Sequence, residues 1–397
     1  MNLRDARKEL LCATAAGNAV LMVSSSGIGK SQLQLAVFSE IKARDAARGL
    51  RWGLGTVFAA TQTPPDLIGY QFKGERDFAV KLGVDNTGKD VIKTSRVTVT
   101  DPSVPLWMIS VPHGDDPGGM PAFMYDRFYL IIEEYGQGEA DVKRAMAEIF
   151  LNGGTAPWYL PAGSIRVASS NSGQRYGVTK DFDFCISRRT QININGDVDV
   201  WLEDFADKPY VYQGRVWQTL PVVKAWAKQN PQVLFEEEPK EQGPWCNPRT
   251  LCAFDRYLQA KMEINGDTVI PQDPITQEHG AGTIGMPAMQ SLDQHLTFRL
   301  QLPAYDDVIK DPTGTPVPQK ADMQMLMAYE MANNVQTQHL TECLTYIQRI
   351  PAKDMHVTFV LALLRRDYRN VINSPAMQGW INKNAALLSI IQSLATH

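Results

Sequence analysis

The chain has 397 residues, 44% of them hydrophobic and 21% charged, with a formal net charge of −4 at pH 7. This is the balance of a globular protein with room for two or three domains, and it lacks the basic excess of a nucleic-acid-binding surface. The five cysteines have no C-x-x-C spacing, which excludes a zinc ribbon and fits a reducing compartment.

The first ten residues carry too many charges for a signal peptide and read as an amphipathic helix leading into a strand. No apolar run approaches the ~18 residues of a membrane span, so a cytoplasmic location is expected. Residues Val20 to Ser31 read Val-Leu-Met-Val-Ser-Ser-Ser-Gly-Ile-Gly-Lys-Ser. A short apolar strand enters a small-residue loop, and an amphipathic helix follows. Backbone N–H groups from Ser26, Gly27, Ile28 and Gly29 into Lys30, Ser31 and Gln32 would form a nest for phosphate oxygens. Lys30 would reach the β- and γ-phosphates, and the Ser31 hydroxyl would hold Mg²⁺. Gly27 and Gly29 permit φ > 0 and a close backbone approach.

A second strand is expected near Thr56 to Ala60, followed by a turn-rich loop from Thr61 to Tyr70. Residues 71–122 alternate β-branched and polar positions (Val91 to Thr100) and cluster Pro and Gly (Pro112 to Pro121). They read as hairpins inserted into an α/β core. Arg127 to Tyr135 holds a buried-strand run that ends in Glu133 and Glu134. At the end of such a strand, Glu133 would sit on the metal side and Glu134 would act as general base. A helix over Ala140 to Leu151 precedes a strand over Ile165 to Ser170 that ends at Asn171. A polar side chain there can orient the water between Glu134 and the γ-phosphate, because strand C-termini of a parallel sheet line the ligand edge.

Phe182 to Ile194 holds the pair Arg188-Arg189 and a short strand. An arginine at a subunit face can stabilise transition-state charge on a neighbour's nucleotide. Beyond residue 198 the pattern turns helical, with candidates over Tyr210 to Lys228, Thr250 to Lys261, Met289 to Leu302, Ala321 to Ile350, Met355 to Arg369 and Trp380 to Leu394. Pro-rich loops are expected at 231–248, 271–287 and 311–319. In Asn247-Pro248-Arg249, proline starts a helix and Arg249 projects near its N-terminus. No internal repeat or low-complexity tract is present.

In this order the features resemble the AAA+ ATPases of the P-loop superfamily, and within them the MoxR-like group, from the N-terminus to about residue 260. Lys30 and Ser31 match the Walker A positions, Phe128 to Glu134 Walker B, Asn171 sensor 1, Arg188 the arginine finger, and Asn247 to Arg249 sensor 2. Pro65 to Gly69 resembles the segment after the second strand in that group. Gly282 to Gly285, Leu302-Pro303, Asp311-Pro312 and Val317-Pro318 resemble the C-terminal part of members that work with von Willebrand A-type partners. Three features depart from the pattern. Ser24 replaces the first glycine, Glu133 replaces an aspartate, and Ser187-Arg188-Arg189 replaces Asp-Arg-Phe, so that either arginine could serve as the finger.

The resemblance implies an AAA+ P-loop core with a parallel sheet over residues 1–197, interrupted by the insertion, then a helical lid over 198–262 and a mostly helical region over 263–397. It implies ATP and Mg²⁺ as ligands, a homo-oligomeric and usually hexameric ring, and a protein client. Two alternatives stay open. One is a nucleic-acid motor of the same superfamily, although acids are interspersed among the insertion's Lys73, Arg76, Lys81, Lys89, Lys93 and Arg96. The other is a nucleotide-gated scaffold with little hydrolysis.

Overall fold

The computed structural model describes residues 1–173, 177–235 and 243–384. The chain forms two compact units. One comprises Leu3–Ser24 and Gly29–Ile194, and the other runs from Asn195 and includes Ser25–Ile28.

The first unit is α/β. Its strands are β1 (Val20–Ser24), β2 (Trp52–Phe58), β3 (Gln71–Val84), β4 (Asp90–Pro102), β5 (Arg127–Glu133), β6 (Gly154–Thr155), β7 (Trp158–Tyr159), β8 (Ile165–Asn171) and β9 (Thr190–Asn193). Its helices are α1 (Leu3–Ala15), α2 (Lys30–Ala46), α3 (Pro64–Ile68), α4 (Ala140–Asn152) and α5 (Asp183–Ile186). Five strands pair in the order β2-β5-β8-β1-β9, all parallel. The chain leaves β1 for the far edge at β2, and only the last strand, β9, lies on the other side of β1. The C-terminal end of β1 is therefore a topological switch point, where α/β sheets bind ligands. The central strands are buried apolar runs, as parallel strands covered on both faces must be.

The second strand begins at Trp52, earlier than its expected start at Thr56. Gly53 and Gly55 obscured it. Their missing Cβ atoms make room for the Phe128 ring on the neighbouring strand. The insertion is one long antiparallel ribbon, β3 with β4, exposed on both faces along nearly its whole length. Its tip turns on Asp85, whose carboxylate accepts from the backbone N–H groups of Thr87 at 2.8 Å and Lys89 at 3.0 Å. The segment Pro112 to Pro121, expected as a hairpin, forms only isolated bridges, Ile109 with Pro121 and His113 with Asp116. Its prolines cannot donate to a ladder.

The second unit is mostly helical. It contains α6 (Val198–Trp201), the hairpin β10 (Tyr210–Tyr212) with β11 (Arg215–Trp217), α7 (Pro221–Gln229), α8 (Pro231–Leu234), α9 (Pro248–Asn265), α10 (Pro274–Ile284) and α11 (Met286–Arg299). Then come α12 (Tyr305–Lys310), α13 (Ala321–Asn334), α14 (Leu340–Ile347), α15 (Lys353–Arg366), α16 (Tyr368–Ile372) and α17 (Pro375–Lys383). Residues 210–217, expected as helix, form a hairpin instead, because Gln213 (φ 50°) and Gly214 (φ 76°) make a turn that only left-handed residues permit. Helix α10 lies within the expected loop 271–287. Asp273 caps it, accepting from Ile275 N and Thr276 N, and Pro274 sits at its first position. The single helix expected over Ala321 to Ile350 breaks after Asn334. The part of the expected helix Trp380 to Leu394 beyond residue 384 lies outside the described residues. One apolar core runs from Trp201 to Ile381, through both the stretch read as lid and the stretch read as C-terminal region. Among the described residues no helix is long and apolar enough to cross a membrane.

Candidate nucleotide site

The loop after β1 has the backbone that its glycines require. Gly27 adopts φ 82°, and Gly29 adopts φ 107° immediately before α2. Side-chain-bearing residues rarely take such angles. The first intrahelical bond runs from Leu33 N to Gly29 O at 3.0 Å. The N–H groups of Lys30, Ser31 and Gln32 lie in the first turn of α2, the place where helix N-termini bind anions. The Lys30 ammonium donates to Ser24 Oγ at 2.7 Å, Ser24 O at 3.3 Å and Asn171 Oδ1 at 3.1 Å. Ser24 therefore holds the lysine with a hydroxyl that glycine would lack.

Within the second unit, a Cβ on Gly27 would overlap the Asn247 side chain and approach Arg249 Cβ at 3.3 Å. Asn247 is held in place by a reciprocal cap. It accepts from Thr250 N at 3.1 Å, and its own N–H donates to Thr250 Oγ1 at 3.0 Å. Arg249 lies in the first turn of α9 and is exposed.

At the end of β5, Glu133 is half-buried and accepts a hydrogen bond from the Ser169 hydroxyl on the neighbouring β8. Glu134 is exposed and left-handed (φ 54°, ψ 34°), and it opens a short 3-10 turn, Tyr135–Gln137. A non-glycine residue in that region is uncommon. Here the turn ends the strand abruptly, so the two carboxylates have different surroundings. Ser24 and Asn171 are register partners, and Ile132 pairs with Ala168. The C-terminal ends of β1, β5 and β8 thus bring Lys30, Ser24, Glu133 and Asn171 to one sheet edge. Reading Ser169-Ser170-Asn171 by type singled out only Asn171, because the contact of Ser169 with Glu133 depends on strand register.

These residues suit a nucleotide with Mg²⁺. Gly27 and Gly29 are left-handed, Lys30 follows them, and the Glu133 carboxylate, oriented by Ser169, ends β5. Among the described residues no cluster of three or more His, Cys, Asp or Glu could hold a metal alone. Mg²⁺ binds through one or two protein oxygens plus phosphates, and the Ser31 hydroxyl and Glu133 carboxylate are oxygens of that kind.

The two arginines differ sharply. Arg188 is partly exposed, pairs with Glu148 at 2.6 Å and lies 5.3 Å from the Phe184 ring centroid. Arg189 has a side chain only 2% exposed and forms an ion pair with Asp181. It also donates to Tyr135 Oη at 2.9 Å and to Cys185 O at 3.3 Å. Of the two arginines, the Arg189 side chain is the buried one and the Arg188 side chain the partly exposed one.

No family model and no curated protein matches the sequence. Solved structures to which the chain is similar include a protein of Cytophaga hutchinsonii assigned as an ATPase (TM-score 0.29, 12% identity, 71% of this chain and 81% of that one). Another is a RuvB mutant from Thermotoga maritima (0.34, 11%, 86% and 83%). A third is ORC2 from Aeropyrum pernix with ADPNP and ADP (0.38, 10%, 90% and 83%). These likenesses are loose.

Proposed function

We propose that this chain is an AAA+ ATPase of the MoxR-like group that binds ATP with Mg²⁺, hydrolyses it in a homo-oligomeric ring and uses the cycle to remodel a protein client. The observation behind this reading is the contact of Lys30 with Asn171 at the sheet edge where β5 delivers Glu133 and Glu134. A phosphate cradle, two carboxylates and a polar amide at one edge are the equipment of phosphoryl transfer to water.

The roles follow from chemistry. Lys30 and the N–H groups from Ser26 to Gln32 bind the phosphates. Ser31 and Glu133 hold the Mg²⁺, with Ser169 fixing the direction of the Glu133 carboxylate. When bound, Mg²⁺ neutralises charge on the phosphate oxygens. Glu134, exposed and lacking a fixed side-chain partner among the described residues, takes the proton of the attacking water. Asn171, once Lys30 turns to the phosphates, orients that water. Arg188 of one subunit stabilises charge at its neighbour's site, and Arg249 links nucleotide state to the helical unit. The protein-client reading is supported by the ribbon, whose charges pair within it: Arg76 with Asp101 at 2.9 Å, Arg96 with Asp77 at 3.0 Å, and Lys81 with Asp90. Such a surface offers little field to a phosphate backbone. A von Willebrand A-type partner, a hexamer and a cytoplasmic location are the finer forms of this proposal.

A mixing experiment tests it. Glu134→Gln and Arg188→Ala subunits, each strongly slowed alone, should regain activity when combined, through interfaces that pair an intact Glu134 with an intact Arg188. Specific activity should rise with protein concentration, because a finger supplied in trans is worth roughly 10³ or more in rate. A monomer with concentration-independent activity overturns the ring and favours the nucleotide-gated scaffold.

A further inference from the structure

The residue after Glu134 and the residue after Arg188 meet inside the first unit. Tyr135 is 1% exposed, and its hydroxyl accepts from Arg189 Nη1 at 2.9 Å. The Arg189 guanidinium lies 4.6 Å from the Tyr135 ring centroid and 5.8 Å from that of Phe150. A second cation, Lys143, is fully buried and lies 5.2 Å from the same Tyr135 ring. Asp181 neutralises both cations, with Lys143 Nζ at 3.0 Å and Arg189 in direct contact. Lys143 also donates to Thr179 O at 2.8 Å, and Thr179 N donates to Gly136 O at 2.9 Å, so the same segment is tied to the turn behind Tyr135.

Two buried cations sharing one carboxylate are a costly way to fill a core. Apolar side chains of similar volume commonly give equal or greater stability. What the cluster supplies is direction, since a planar guanidinium held by a carboxylate, a hydroxyl and two ring faces has one orientation. That orientation sets where the chain runs one residue earlier, at Arg188. The other end of the cluster sets the left-handed turn that presents Glu134. We propose that Tyr135 and Arg189 are positioning residues, a buried strut that holds a subunit's own Glu134 turn and its outgoing Arg188 in a defined relation. The strut would couple the state of one nucleotide site to the finger that serves the next. This inference rests on the proposed roles of Glu134 and Arg188.

The test is a double-mutant cycle on the assembled full-length protein, reading ATP affinity, turnover and melting temperature separately. Tyr135→Phe removes only the hydroxyl. It should lower kcat by roughly 2–10-fold, the worth of one hydrogen bond. ATP Kd should stay close to wild type, and melting temperature should fall only by the few degrees that one buried hydrogen bond accounts for. Added to Arg188→Ala, which leaves a slow but measurable rate, it should cost clearly less than it does alone, because the strut then positions only the Glu134 turn. Arg189→Lys keeps the charge opposite Asp181 but loses the planar fork. It should reproduce the kcat loss, and it serves as the readout if Tyr135→Phe folds poorly. Losses that multiply independently with Arg188→Ala, or a wild-type kcat for Tyr135→Phe, overturn the strut while leaving the finger in place. A wild-type rate for Arg188→Ala alone overturns the finger reading, and the strut with it.

Discussion

Lys30 and Asn171 are 141 positions apart in the chain, yet the ammonium of one donates to the amide oxygen of the other at 3.1 Å. The contact joins the start of α2 to the end of β8 across the tip of β1. It holds the Lys30 ammonium against the end of β1, directly after Gly27 and Gly29, which are left-handed. Lys30→Ala should remove ATP binding, with at least a ~10-fold rise in Kd by calorimetry, since charge-assisted bonds to phosphate are among the strong ones. Circular dichroism should be unchanged. Wild-type affinity in this variant would place the nucleotide elsewhere.

Glu133 and Glu134 adjoin in sequence but not in environment. Ser169 orients the first, while a left-handed turn carries the second into solvent. Glu134→Gln should keep ATP affinity and lose turnover by roughly 10²-fold or more, because it removes a proton acceptor and little else. Glu133→Gln should instead weaken the Mg²⁺ dependence, read as a higher half-saturating Mg²⁺ concentration. If the two phenotypes appear exchanged, the assigned roles are exchanged.

The β3–β4 ribbon contributes no residue to either apolar core. Phe72, Phe78, Val80 and Val97 lie on one face, and Lys73, Glu75, Asp77 and Arg96 on the other, by strict alternation. Replacing residues 73–100 with a two-residue turn between Phe72 and Asp101 should leave stability within roughly 0.5 kcal/mol by thermal denaturation, as for surface changes generally. ATP affinity should be unchanged. A large loss of stability would mean that the ribbon belongs to the fold rather than to partner recognition.

Asp255 in α9 is fully buried, accepting from Leu220 N at 3.0 Å and from Gln259 Nε2 at 2.7 Å. Burial pushes its pKa up to about 7, against the opposing pull of those hydrogen bonds and of Lys224. Its folded value lies above the ordinary 3.8, so from about pH 4 to about pH 7 the native state holds a proton that the unfolded chain has lost. The contribution is fully present below that window and lost as pH rises through it. Asp255→Asn cannot ionise. Its melting temperature relative to wild type should therefore rise between about pH 4 and about pH 7 and level off above that. A difference that stays flat with pH would show that Asp255 does not titrate in this range.

The sequence by itself determined the local chemistry. Val20 to Ser24 could only be a buried strand, Gly27 and Gly29 were needed where φ turns positive, and the apolar run from Phe128 had to end where two carboxylates begin. These features depend on sterics and periodicity within a few residues. Tertiary structure decided which of two adjacent arginines is partly exposed and which is buried against Tyr135 and Asp181. It also decided that Ser169 is the partner of Glu133, that Gly53 and Gly55 admit the Phe128 ring into β2's neighbourhood, and that residues 71–102 stand out as one ribbon. The common reason is that burial and cross-strand register depend on partners tens to hundreds of positions away, and a local pattern of residue types carries no record of those partners.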